Sequence, residues 1–250
     1  MILVLDAGNS CLKWGQVSDR LLLQHASVPH GPADLDLDVL WGGLERPERV
    51  LAVSVSAPAL VERIGKWTRE RWGLDPQSLQ TPAVGGGIAC AYPEPAGLGV
   101  DRWAAMVGAR RHGLLPAVVV DCGTAATFDL LTPGSGGGPD RHQGGFIVPG
   151  LATMRRSLSD RAHHLPEVTG EAVQVPALNT PDAIRSGTLL GLAGLMEHLA
   201  VCLEDVAGAP CARVITGGDA PALLPHLPSG YRHHPDLVLE GLAAVADGGI

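Results

Sequence analysis

The sequence predicts an α/β protein made of two similar halves. Two observations carry this. An apolar strand, Ile2–Leu5, runs into Asp6 and then Gly8, and nearly the same phrase returns as Val118–Val120, Asp121 and Gly123. The two acids lie 115 positions apart, and further strand and then helical spacing follow each. A third apolar strand ends in another glycine turn, Thr216–Asp219. Two such halves facing each other would leave a cleft between them. The boundary is placed at residue 115, giving halves 1–115 and 116–250.

Each element has a local reason. Residues 2–6 and 50–55 are short apolar runs and read as buried strands. Residues 12–17 and 20–28 read as a meander turning at Ser18–Arg20. The segments 33–44 and 57–74 have helical spacing, and Leu60, Ile64, Trp67 and Trp72 can share one buried face. Residues 81–99 are rich in proline and glycine and read as loop. A helix is expected from Asp101, closed by Gly113 as a C-cap. In the second half, 117–131 reads as two strands around a tight turn, and 133–141 as a flexible hairpin or loop tip. A strand over 144–150 leads into a helix at 151–162. A long helix covers 181–206, residues 212–220 form a strand, a glycine turn and a helix start, and 235–246 closes as a helix.

Composition narrows the function classes. The chain has 250 residues, 46% of them hydrophobic, which is ample for a sizeable core. The formal net charge is -8 and no Lys/Arg cluster stands out, so a nucleic-acid partner is not expected. Five cysteines without a CxxC argue against a disulfide framework or a zinc ribbon. The pairs His163–His164 and His233–His234 lack metal-ligand spacing and read as surface or loop histidines. The N-terminus is a strand, not a signal peptide. The apolar stretch 187–203 is short for a membrane span and carries Glu197 and His198. A soluble cytoplasmic protein with no membrane partner is expected.

The repeated turn carries the chemistry. A glycine after a buried strand lets the backbone approach a ligand, and successive N–H groups there form an anion nest. Ser10 and Thr124 add hydroxyls, and Lys13 adds a positive charge. Asp6 repels phosphate, so a metal ion or water should lie between them. That suits a magnesium nucleotide. The plainer alternative is a tight turn in which Asp caps its own backbone. Asp101 is either an N-cap acid or a carboxylate that takes a proton from a hydroxyl, with Arg102 beside it for an anionic substrate. Tyr92 is either a packed loop aromatic or part of the same site. Thr180, before Pro181, reads as an N-cap, with a second role as ligand contact left open.

The ordered set of segments 6–13, 92–102, 121–129, 144–150, 179–187, 216–220 and 235–242 resembles the type III pantothenate kinases, of the acetate and sugar kinase, Hsp70 and actin superfamily. The resemblance implies two actin-like (ribonuclease H-like) domains, each a mixed five-stranded sheet with flanking helices, and an active site in the cleft between them. It implies phosphorylation of pantothenate by ATP with Mg²⁺, the first step of coenzyme A synthesis. Matched by motif, Asp6, Ala7, Gly8, Asn9, Ser10, Cys11, Leu12 and Lys13 form the first phosphate loop, and Gly123 and Thr124 belong to the second. Asp101 matches the catalytic base, and Tyr92, Gly99, Val100, Asp101, Arg102 and Thr180 match pantothenate contacts. Asp121 matches a ligand for a monovalent cation, potassium or ammonium. A homodimer is implied, in which Thr180 could serve the neighbouring chain's site. Ser10 stands where the family usually has threonine, and Val100 where it has alanine; neither removes a needed group. Another superfamily kinase or phosphatase, or a non-catalytic regulator, is the competing reading.

Overall fold

Ile2, Leu3, Val4 and Leu5 are all buried, as befits a central strand covered on both faces. They belong to β1 (Ile2–Ala7) in a computed structural model that describes residues 1–8, 11–29, 35–54, 58–162 and 164–246. Asn9, Ser10 and His163 of the readings above lie outside the described residues. Along the chain follow β2 (Cys11–Ser18), β3 (Leu21–Pro29), α1 (Leu37–Trp41), β4 (Arg49–Ser54), α2 (Pro58–Trp72) and β5 (Gln77–Ser78). Then come β6 (Val84–Gly85), β7 (Ile88–Ala89) and α3 (Val100–Arg111). The later part holds β8 (Ala117–Cys122), β9 (Ala125–Thr132), β10 (Asp140–Pro149), α4 (Leu151–Arg161) and α5 (Thr180–Ala207). It ends with β11 (Ala212–Thr216), α6 (Ala220–Leu223), β12 (Tyr231–His233) and α7 (Leu237–Val245).

These elements form two units. The first takes Met1–Gly113, Gly134–Arg141 and the chain from Asp236; the second takes Leu114–Pro133 and His142–Pro235. A single cut after residue 115 would put α7 in the second half. Its packing partners are α3 and β1–β3, which belong to the first. Glycines make that packing close: a Cβ on Gly241 would lie 1.8 Å from the Ala104 carbonyl oxygen, and one on Gly108 would lie 2.4 Å from that of Leu237. The two helix backbones therefore touch, and α3 is held by its middle.

The first unit has the sheet order β3-β2-β1-β4-β5, with β1 antiparallel to β2 and parallel to β4. The second runs β10-β9-β8-β11-β12, with β8 antiparallel to β9 and parallel to β11. The same order thus recurs in both units. The second sheet has seven strands rather than the expected five: it continues from β10 to β7 and β6, because Asp140 and Arg141, which count with the first unit, pair with Ile88 and Ala89.

Two hairpins use type I′ geometry, in which both turn residues need positive φ. At Ser18–Leu21 the turn is Asp19 (φ 50°) and Arg20 (φ 61°), as the meander reading placed it. At β6–β7 it is Gly86 (φ 59°) and Gly87 (φ 79°), inside a segment the sequence presented as loop. The run of three glycines that hid those strands is what lets the chain reverse there. Trp67 is also not in the buried face expected of α2: Thr68 is buried in its place. Trp67 is half-buried, its Nε1 donates to Asp38 Oδ1 at 3.1 Å, and its ring meets Trp41 and Trp72 edge-on. An indole with a polar edge favours such a boundary.

In the second unit Val118, Val120, Ala126 and Phe128 pack against Leu189, Leu192, Met196 and Leu203 of α5. By length and composition α5 is long and apolar enough to cross a membrane, and counting only 187–203 understated it. Its apolar side is the cover of this sheet.

Candidate active site

The first turn begins where β1 meets β2. Asp6 is half-buried and stands directly opposite Lys13 in the antiparallel register, with Ala7 opposite Leu12. Directly opposed residues put their side chains on the same face, so the acid and the amine are neighbours of opposite sign. The Gly8 N–H donates to the Cys11 carbonyl at 3.0 Å and closes the loop. Cys11 Sγ lies 2.9 Å from Ser27 Oγ on β3.

The second turn is one residue shorter. The Gly123 N–H donates to the Ala125 carbonyl at 3.0 Å. Asp121 stands opposite Thr127, where Asp6 has its lysine. Other segments close on this turn. A Cβ on Gly150 would lie 1.8 Å from the Gly123 carbonyl oxygen, and one on Gly217 would lie 2.2 Å from that of Cys122 and 2.5 Å from Asp121 Oδ1. Thr153 Oγ1 donates to the Thr124 carbonyl at 2.6 Å. The Cys122 thiol is pushed well above its usual range, first by burial and then by the negative charges of Asp121 and Asp219. Gly150 and Asp219 lay in the motif segments 144–150 and 216–220 without a role assigned to them, and Thr153 was not singled out. The Pro149–Gly150 pair before a helix was the one available signal for the first of them.

A third group gathers at the start of α3. The helix begins at Val100 with Gly99 as its N-cap residue, so Asp101 is not the cap its composition suggested. Instead Asp101 Oδ1 accepts the Arg102 N–H at 2.8 Å and turns back over Gly99. A carboxylate in a first helical turn is favoured by the helix dipole. Arg102 is buried, with Nη1 donating to Tyr92 Oη at 3.3 Å and its guanidinium carbon 6.0 Å from the Tyr92 ring centre. Tyr92, Gly99, Val100, Asp101 and Arg102 are therefore one cluster. Gly113 (φ 69°) sits just past the end of this helix, one residue beyond its cap, His112.

Thr180 is exposed at the first position of α5. Its cap reading is corrected: the N-cap is Asn179, whose side chain accepts the Asp182 N–H at 2.9 Å and donates to Asp182 Oδ2 at 2.7 Å. Asparagine caps as well as threonine or better, so the adjacent pair was ambiguous in sequence. Thr180 borders an apolar groove of about 660 Å³, together with Met154, Leu158, Leu178 and Ile184.

Comparison with known proteins identifies the family. A family model described as type III pantothenate kinase matches residues 2–201. The chain is 42% identical over 248 residues to a type III pantothenate kinase of Alkalilimnicola ehrlichii, covering 98% of this chain and 97% of that one. Among solved structures, a Baf family protein from Campylobacter jejuni is similar with a TM-score of 0.56 at 21% identity, covering 98% of both chains. A Sinorhizobium meliloti protein assigned as a 2-dehydro-3-deoxygalactonokinase is similar with a TM-score of 0.53 at 14% identity over the whole of both chains. At these identities the likeness is one of fold, the actin-like fold whose strand order recurs in the two units. With the family match over most of its length, the chain belongs to the type III pantothenate kinases, which phosphorylate pantothenate in the first step of coenzyme A biosynthesis.

Proposed function

We propose that the three clusters divide the reaction between them. A kinase of this family uses ATP and a divalent metal. The turn 6–13, with Lys13, and the turn at Gly123–Thr124 hold the phosphates. Backbone N–H groups and one ammonium offset their charge, which is most of what phosphoryl transfer asks of a protein. Asp6 would hold Mg²⁺ through its carboxylate, and the metal would supply positive charge between that acid and the phosphates. Pantothenate lies against Tyr92, Gly99, Val100 and Arg102, the arginine meeting its carboxylate. Thr180 completes the contact, in a homodimer from the neighbouring subunit. Asp101 is the base: its carboxylate, oriented by the Arg102 amide, orients the substrate hydroxyl and takes its proton. The cell compartment is the cytoplasm.

Asp121 would hold a monovalent cation, potassium or ammonium. The observation that supports this best is the pairing of the two repeated acids. The register puts Lys13 opposite Asp6 and Thr127, which offers a hydroxyl oxygen, opposite Asp121. The residues at the second turn fit a bound cation in type and charge.

A coupled ADP-release assay with pantothenate, Mg-ATP and potassium, repeated in sodium, tests the assignment. Pantothenate-dependent turnover that falls in sodium is expected. Equal turnover in both salts sinks the Asp121 role alone. Replacing Asp101 by alanine should keep the fold, read by circular dichroism, and cut turnover by roughly 10²–10⁴-fold. Near-normal turnover would remove the base role.

A further inference from the structure

The start of α4 poses a problem that another part of the unit solves. Helix N-termini leave N–H groups without intrahelical partners, and a Ser, Thr, Asp or Asn at the N-cap satisfies one of them. Here the N-cap is Gly150, which has no side chain to offer. It cannot be exchanged for a capping residue, because a Cβ would lie 1.8 Å from the Gly123 carbonyl oxygen. The close approach of α4 to the β8–β9 turn therefore forbids a local cap.

The cap arrives from a distance in sequence. Asp219 Oδ2 accepts the Leu151 N–H at 3.2 Å, across 68 positions. The Asp219 main chain is itself tied to the same turn, its N–H donating to the Cys122 carbonyl at 3.0 Å. Gly150 closes the triangle by donating to the Thr124 carbonyl at 3.1 Å. Residues 122–124, 150–151 and 217–219 thus form one hydrogen-bonded platform, and Asp219 joins two of its sides.

We propose that Asp219 is a positioning residue for the nucleotide phosphates, a remote cap that holds the start of α4 in register with the Gly123–Thr124 turn. The inference rests on the reading that this turn binds ATP. Asp219 does not touch phosphate, since a carboxylate there would repel it. It acts through the Leu151 amide.

The test is a set of Asp219 variants in the full-length protein, followed by steady-state kinetics with Mg-ATP and pantothenate varied separately. Equilibrium binding of a fluorescent ATP analogue is measured in parallel. Asp219→Ala is expected to raise KM for ATP and the Kd of the analogue by about tenfold, about 1.4 kcal/mol, with KM for pantothenate within twofold. Asp219→Asn, whose side-chain oxygen can accept the same N–H, should recover most of the ATP affinity. Asp219→Glu keeps the charge but moves the acceptor by one methylene. It should weaken ATP binding several-fold, and it carries the test if the alanine variant does not fold. A purely structural role would lower the active fraction and leave KM for ATP unchanged; that result overturns the inference, as does an asparagine variant no better than alanine. Active wild-type enzyme with unaltered variants rejects Asp219 alone. A wild type that binds no ATP analogue rejects the nucleotide site together with it.

Discussion

Along β1 and β8 the first four side chains are buried, the acid is half-buried, and the last residue is buried again. Along β2 and β9 the burial pattern agrees at all eight positions. The turns between them differ. Three residues, 8–10, separate β1 from β2, and only Gly123 and Thr124 separate β8 from β9. Opposite the repeated acid stands lysine in one unit and threonine in the other. The crossovers differ too: α1, of five residues, leads to β4, while α4 and the 28-residue α5 lead to β11. The comparison separates two demands on a repeated fold. Packing constrains which positions are apolar, and it is met alike in both units. Charge and loop length are left to vary, and there the two turns have parted.

Of the exchanges between the two turns, the larger effect is expected from making the first resemble the second. Lys13→Thr removes the cation opposite Asp6, and kcat/KM for ATP should fall on the order of 10²-fold, as when a donor to developing charge is lost. A loss below about threefold would mean that the ammonium does no more for phosphate than a hydroxyl does. The reverse exchange is subtler. Thr127→Lys places an ammonium beside Asp121, and the ratio of rates in potassium and sodium should move towards one. An unchanged ratio would detach the cation from Asp121.

The smallest effect concerns the longer crossover. Arg213 on β11 donates to Glu204 at 3.0 and 2.9 Å and to Glu197 at 2.7 and 2.6 Å, both carboxylates coming from α5. The Arg213 hydrogen bond holds the Glu204 carboxyl below its ordinary value of 4.5, against the opposing effect of burial. A lowered acid contributes stability that is complete above its unfolded value and is lost as pH falls through its folded one. Glu204→Gln should therefore cost under about 1 kcal/mol at neutral pH, because the pair is partly exposed. The gap to wild type should close as the pH drops below 4.5. Denaturant titrations at several pH values would check this; a gap that persists in acid would mean that packing, not charge, holds the pair.

Local features were the legible ones. The strands ending in Asp6 and Asp121 could be read because burial on both faces writes a continuous apolar run, and the glycine after each marks the turn. Asp101, Arg102 and Tyr92 could be nominated by motif, and they do form one cluster. What the cluster does with Asp101 could not be read: an acid at a helix start is a cap or a second-position residue depending on where the helix begins, here two residues earlier at the Gly99 cap. The same phase ambiguity exchanged Asn179 for Thr180. Residues 84–89 looked like loop because the glycines that permit positive φ also erase the alternation of a strand. Asp219 was invisible as a cap because its partner lies 68 positions away.

By itself the sequence determined the repeated strand–acid–glycine phrase, the buried positions around it and the residue types available to phosphate and cation. Those follow from periodicity and side-chain chemistry, which act over a few residues. Only the tertiary structure decided that α7 packs with the first unit, that Gly150 meets Gly123 too closely for any side chain, and that Asp219 therefore caps a helix it does not belong to. Such pairings depend on backbone approach between segments far apart in the chain, and no local pattern encodes that distance.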